Sequence, residues 1–288
     1  MSMGLDALQP GKVALVTGGA SGIGLAACRR FASLGMRVAI IDLPGAALER
    51  AAKEVCDHSG DQDRARGFAA DVSSRPEMRA LADQVRGWAG TIDLVMANAA
   101  VQPGSAVLGP DAQWDSVLSV NLHGVIETVR AILPGMIEQG GPGLVIVTGS
   151  KQGITTPPGD PAYNVAKAGV KAFAEAVQHD LRNRAGCRIG AHLLIPGFVF
   201  TALTRGDRTE KPAAAWTPEQ TIDFMMTSLN RGDFYILCPD NDVSRATDER
   251  RILWAAGDIV ENRPPLSRWH PDYGDAFQAF LKAPPGSA

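Results

Sequence analysis

The sequence predicts an α/β protein, a doubly wound parallel seven-stranded sheet in a single domain with a C-terminal extension. Three observations predict it. Short β-branched apolar runs alternate with longer amphipathic stretches along most of the chain. The first such run leads straight into a glycine-rich turn and then a helix-like segment. With 288 residues, 45% of them hydrophobic and 20% charged, the chain can build one large core.

The elements follow in order. Residues 12–17 read as a buried strand, because they are short, apolar and followed by glycines. Residues 21–34 read as a helix stopped by Gly35. A second strand fits 37–42 and a second helix 46–57. A third strand fits 66–71, a helix 75–88 and a fourth strand 92–97. Residues 112–138 read as one long helical stretch with Pro134 near its end. A fifth strand at 144–148, a helix at 161–184, a sixth strand at 188–195 and a seventh at 234–238 complete the pattern. Residues 1–240 carry this catalytic and ligand-binding pattern. Residues 241–288 form the extension, with a helix at 243–261 and a tail containing Trp269, His270 and Tyr273. Three dockings are open for the tail: on the domain, on a partner subunit, or over the substrate. Residues 196–216 form a long loop of the kind that serves as a lid.

Composition excludes several classes. The net charge is −3 and no basic cluster occurs, which argues against a nucleic-acid partner. No run of 18 apolar residues suggests a membrane span, and residues 1–10 lack the pattern of an export signal. A cytoplasmic location is expected. Cys28, Cys56, Cys187 and Cys238 are scattered, so free thiols and no metal are expected.

Glycines at 18, 22 and 24 permit a tight turn whose following helix points free N–H groups at a pyrophosphate. Asp42 ends the second strand, where a carboxylate accepts hydrogen bonds from adenosine ribose hydroxyls. No Arg or Lys stands at Ser21 or Leu43 to balance a 2′-phosphate, so NAD is expected rather than NADP. The competing reading makes Asp42 a cap of the next helix. Asp71 and Val72 are placed to hold the adenine, and Asn98 lies on the same carboxyl edge.

Of three tyrosines, only Tyr163 has a lysine four residues later, Lys167, on a shared helix face. At about 4 Å and an effective dielectric near about 20, the attraction between ammonium and phenolate is about 4 kcal/mol. That equals about three pKa units, enough to bring a phenol toward neutrality for proton transfer. Ser150 is placed to bond a carbonyl or alcohol oxygen held at Tyr163, and Asn121 to hold a water that links Lys167 to solvent.

With Thr17-Gly18, Gly22-Ile23-Gly24, Asp71-Val72, Asn98-Ala99, Asn121, Ser150, Tyr163, Lys167, Pro196-Gly197 and Thr201, residues 10–205 resemble the short-chain dehydrogenase/reductase family. The resemblance implies a Rossmann fold and a nicotinamide cofactor. It implies that Tyr163 is the acid/base, Ser150 the substrate-oxygen anchor, Lys167 a ribose ligand and Asn121 the relay residue. Ile23, Leu43 and Ala99 join the cofactor-binding set, and Pro196, Gly197, Val199 and Thr201 would meet the nicotinamide end. A homo-oligomer, dimer or tetramer, follows by the same analogy.

Three segments depart from the family pattern: Ala97-Asn98-Ala99-Ala100, Lys151-Gln152 after the serine, and the extension in place of a glycine-rich ending. Val101, Ile154, Phe198, Phe200 and Leu203 are expected to line a mainly apolar pocket for a secondary alcohol or ketone. Two other classes compete with this enzyme reading. One is a non-catalytic NAD(H) sensor on the same fold, which has no need of Tyr163. The other is an epimerase or dehydratase, which the lack of a sizeable second domain disfavours.

Overall fold

The computed structural model describes residues 5–283. Seven strands form one sheet: β1 (Val13–Thr17), β2 (Arg37–Asp42), β3 (Ala65–Ala69), β4 (Leu94–Ala97), β5 (Gly143–Thr148), β6 (Ile189–Ile195) and β7 (Tyr235–Leu237). All pairings are parallel, in the order β3-β2-β1-β4-β5-β6-β7. The chain winds outward from β1 to β3, returns to the centre, and winds the other way from β4. Connections therefore diverge between β1 and β4 and leave a crevice at the carboxyl edge of the sheet.

Successive residues of the inner strands enter opposite core layers. Leu15, Val95, Val145 and Leu193 face a layer shared with α3 (Arg75–Ala89), α5 (Val125–Gln139) and α7 (Pro161–Asn183). Val16, Met96, Ile146 and Leu194 face the other layer, with α1 (Gly22–Ser33), α2 (Ala46–Ser59) and α8 (Pro218–Arg231). Local chemistry sets the helix starts. The Ser74 hydroxyl caps α3, and Thr217 and Gln220 cap α8 reciprocally.

The expected helix over 112–138 is in fact three pieces. α4 (Asp111–Leu118) runs into a π turn at Ser119–Gly124, and α5 follows with Pro134 inside it. The wider turn contains Asn121, which is fully buried. A single extra residue hardly disturbs apolar periodicity, so the sequence reads through it. By length and composition the run Asp111–Gln139 is long and apolar enough to cross a membrane; here α5 packs against β4, β5 and α3. β3 stops at Ala69, two residues before Asp71, which lies in the turn entering α3.

The 196–216 segment is tied at its base. The Trp216 N–H donates to the Phe198 carbonyl at 2.8 Å, and the Phe200 N–H to the Trp216 carbonyl at 2.9 Å. The Asn241 amide donates to the Ala213 and Ala215 carbonyls.

The extension packs on itself and on the short α6 (Gln152–Thr155). α9 (Arg245–Val260) presents Trp254 to α10 (Gly274–Lys282), with Phe277 and Phe280 at 5.3 and 5.2 Å between ring centres. The Trp254 indole N–H donates to Ser267 at 2.8 Å, and Arg263 lies 4.0 Å over the indole. Trp269 lines a second cavity of about 420 Å³ behind α6, whereas His270 and Tyr273 meet edge to face. None of these three aromatic residues reaches the crevice at the sheet edge.

Trp254 is therefore the anchor of the tail. We expect Trp254→Ala to cost about 3–5 kcal/mol of local docking free energy. Limited proteolysis should then cut within 262–282 far faster than in the wild type. Equal cleavage rates would mean that the tail is held by something other than this aromatic cluster.

Candidate active site

A cavity of about 670 Å³ follows the carboxyl ends of the strands. That volume lies in the usual range for ligand pockets. Gly18, Ser21, Gly22, Ile23, Asp42, Leu43, Asp71, Val72, Asn98 and Ala99 line it towards β2 and β3. Ser150, Tyr163, Lys167, Pro196, Gly197, Val199 and Thr201 line it towards β5 and β6. Gly24 and Asn121 belong to the expected set but do not reach the wall.

Gly24 acts by packing. A Cβ there would lie 2.1 Å from the Gly18 carbonyl oxygen, so only glycine lets α1 start against the turn. Ser21 precedes α1 without a side-chain capping bond, which leaves first-turn amides free for an anion. Asp42 does not cap α2, which begins after Gly45. Its Oδ2 accepts from the Ala20 N–H and its Oδ1 from the Leu43 N–H, both at 2.9 Å. A carboxylate offers about four acceptor directions, so capacity remains for two hydroxyls. Asp71 accepts from the Ser73 N–H and hydroxyl. Among the described residues, no Lys or Arg lines this end of the cavity. An amide-lined turn followed by carboxylates suits an elongated ligand with a phosphate at α1 and ribose hydroxyls at Asp42.

Asn98 ties strand ends together. Its Nδ2 donates to the Thr17 carbonyl at 3.2 Å, and its Oδ1 accepts from the Thr148 hydroxyl at 3.2 Å. The Thr17 hydroxyl oxygen accepts from the Asn98 and Ala99 N–H groups. The Asn121 side chain is also committed. Its Oδ1 accepts from the Val101 N–H and its Nδ2 donates to the Val101 carbonyl, both at 2.7 Å. Asn121 thus braces the 98–101 wall through its side chain.

Ser150, Tyr163 and Lys167 come together because α6 lies hard against α7. A Cβ on Gly153 would sit 2.4 Å from the Lys167 backbone carbon, so a side chain there would push α6 away. Lys167 is fully buried, and its ammonium donates to the Thr148 carbonyl at 2.9 Å. Its Nζ stands 5.6 Å from the centre of the Tyr163 ring. The Ser150 oxygen accepts from the Gln152 N–H at 3.1 Å.

The expected lowering of the Tyr163 pKa is not found. Burial pushes the phenol up to about 12; a Ser150 hydrogen bond pulls it down, and nearby Asp160 adds to the rise. The Lys167 ammonium donates to the Thr148 carbonyl and is not among the groups that shift the phenol, where burial dominates. Burial also lowers Lys167 to about 8. In this state the phenol is a proton donor at neutral pH.

Val101, Phe198 and Leu203 line the cavity as expected. Ile154 does not, because it faces the second cavity, and Phe200 lies outside both. Gln102, Ser116, Lys151 and Gln152 also take part in the wall and add polar groups to a lining that stays mainly apolar. The Gln152 Oε1 atom is buried without a protein partner. Asp160 receives the Ser105 hydroxyl at 2.5 Å and the Gln102 amide at 3.2 Å, ordering the entry to α7. Thr148 and Asp160 were missed in the sequence because their partners are distant along the chain.

Lys167 makes a pH signature. The folded chain gives up this proton near pH 8 and the unfolded chain near 10.5, so stability rises with pH across that window. Up to about pH 10 the gain is about 2 kcal/mol. Tyr163 acts oppositely, but only above about pH 10, where the unfolded phenol ionises first. The difference in unfolding free energy between wild type and Lys167→Met, measured with denaturant, should shift by about 2 kcal/mol in favour of the wild type between pH 8 and 10. A constant difference would mean that burial does not destabilise the ammonium.

Comparison with known proteins matches this arrangement. A family model described as short chain dehydrogenase matches residues 12–212. The chain is 30% identical over 255 residues to the 1-deoxy-11-beta-hydroxypentalenate dehydrogenase of Streptomyces avermitilis, covering 86% of this chain and 91% of that one. It is 33% identical to the D-threitol dehydrogenase of Mycolicibacterium smegmatis, covering 73% and 82%. A solved short chain dehydrogenase/reductase from Burkholderia phymatum, in complex with NAD, superposes with a TM-score of 0.79 at 27% identity, over 90% of this chain and 97% of that one. Glycine turn, strand-end bracket and Ser–Tyr–Lys cluster occur on one sheet edge, and the chain belongs to the short-chain dehydrogenase/reductase family.

Proposed function

We propose that the chain is an NAD-dependent oxidoreductase that interconverts a secondary alcohol and its ketone, with Tyr163 as general acid/base. The observation that carries this reading is the buried Tyr163 phenol beside Ser150 and Lys167 on the cavity wall. The relatives named as dehydrogenases and the NAD-bound neighbour support it.

The cofactor, when bound, exchanges a hydride with the substrate carbon. The chain's residues do the rest. The first-turn amides of α1 receive the pyrophosphate and Asp42 the adenosine ribose hydroxyls. Lys167 keeps one donor on Thr148 and turns the others to a ribose hydroxyl. Ser150 holds the substrate oxygen next to the phenol. In ketone reduction Tyr163 gives its proton to that oxygen, and in alcohol oxidation its phenolate takes the proton back. A phenol pushed up to about 12 favours the donor role, so reduction should fall and oxidation rise as pH climbs through the alkaline range.

The substrate carries an apolar body against Val101, Phe198 and Leu203. It also carries a hydrogen-bonding group for Gln152, whose buried oxygen lacks a partner.

Tyr163→Phe tests the mechanism with a panel of ketones and hydroxyketones. Turnover should fall by about 10² to 10⁴ while NADH binding persists. Near-normal turnover would remove the mechanism. Cofactor choice rests on the carboxylates at the adenosine end, which repel a 2′-phosphate. NAD should give at least about tenfold higher kcat/KM than NADP. Replacing Asp42 by Ala together with Leu43→Arg should narrow the gap. Equal efficiencies in the wild type would refute the preference.

A further inference from the structure

The residue after the site serine is a lysine whose side chain does not go to solvent. The Lys151 ammonium lies 2.6 Å from Asp248 Oδ2 on α9 and 3.2 Å from Asp240 Oδ2 after β7. The three side chains keep only 18, 5 and 8% of their exposure, in the order Lys151, Asp248 and Asp240. Asp240 Oδ2 also accepts from the Phe198 N–H at 3.4 Å. Its Oδ1 accepts from the Asp242 and Val243 N–H groups, which fix the carboxylate's direction. The Lys151 N–H donates to the Pro196 carbonyl at 3.3 Å. A Cβ on Gly197 would stand 2.8 Å from the Lys151 Nζ and 2.7 Å from Asp240 Oδ2. Glycine at 197 therefore makes room for an ion cluster as well as for whatever enters the cavity.

We propose that Lys151 is a positioning residue: its ammonium, held between Asp240 and Asp248, locks the Ser150 turn to the Gly197–Phe198 wall and to α9, so that the C-terminal extension sets the geometry at the substrate oxygen. This rests on the oxidoreductase reading above. Lys151 is not a free cation for a substrate anion, because two carboxylates already compensate it. Arg251, 4.0 Å from Asp248 Oδ1, brings the cluster to charge balance. Burial holds the Asp248 carboxyl above its usual range, and the neighbouring lysine offsets only part of that rise. Buried ion pairs are often no more stabilising than apolar residues of the same volume. This one adds a side-chain tie between α9, the segment after β7 and the ends of the paired strands β5 and β6, where the Lys151 N–H already meets the Pro196 carbonyl.

The test uses the full-length protein, with Tyr163→Phe run in parallel to check the oxidoreductase reading. Lys151→Met alone leaves two carboxylates facing each other and should lower the melting temperature. Adding Asp248→Asn removes one of those charges and should restore most of it. In both variants amide exchange of 149–155 and 196–200 in the ligand-free protein should accelerate by about tenfold or more. NADH affinity should stay within about threefold, since Asp42 and the glycine turn are untouched. Turnover should fall by up to about 10²-fold, the effect of misplacing a reacting group by about 1 Å. If the double variant regains wild-type exchange and turnover along with its stability, Lys151 only balances charge and the proposal fails. It fails also if turnover drops with exchange unchanged, because Lys151 then acts directly. Accelerated exchange with normal turnover would equally overturn it. Absence of turnover in the wild type would instead strike the oxidoreductase reading, and the exchange measurement would still decide whether the brace exists.

Discussion

The site depends on one carboxamide. Parallel strands end without hairpins, so no turn ties their carboxyl ends together. Asn98 supplies the tie, giving its N–H groups to Thr17 and taking the Thr148 hydroxyl. Thr148 then receives Lys167 on its carbonyl, and Lys167 shares a helix face with Tyr163. Hydrogen bonds thus run from the start of the glycine turn through Asn98 and Thr148 to Lys167, one helical turn from Tyr163. The ligand's two halves are positioned from one reference point. Small shifts of one strand end would be felt at both.

Burial is the second constraint, and it moves the two titratable groups in opposite directions. The same loss of water that raises Tyr163 lowers Lys167. Each group is pushed toward its neutral form. Their pKa values, close together in water, are driven apart to about 12 and about 8, so between those two pH values both groups are neutral. Neither shift has a Lys–Tyr ion pair among its causes.

Much of this was legible in the sequence because it is local. Strand runs such as 37–42 carry their burial in their composition, and the glycine turn lies between a strand and a helix in consecutive residues. Tyr163 and Lys167 share a helix face by spacing alone. What was not legible depends on distant partners. The π turn at Ser119–Gly124 needs Val101 to hold Asn121 inward. Lys151 and Gln152 read equally well as solvated loop residues until Asp240, Asp248 and the packing of α6 are placed around them. The tail's aromatic residues advertise burial but not its location. Trp254 holds Phe277 and Phe280 against α9, away from the cavity.

The two halves of the cavity are therefore built by different means. Towards β2 and β3 the wall consists of backbone turns and carboxylates set by the sheet itself, and it suits a ligand common to many related proteins. Towards β5 and β6 the wall is assembled from the Ser150 turn, the 196–201 segment and, behind them, α9. The first two follow the paired strands β5 and β6, and α9 with the turn before it is joined to them by ion pairs and hydrogen bonds. Such a wall can change shape through a few side chains without disturbing the sheet. Substrate choice on this fold is most readily altered there. On the proposed reading, the ion-paired helix α9 therefore reaches the substrate end of the site from outside it.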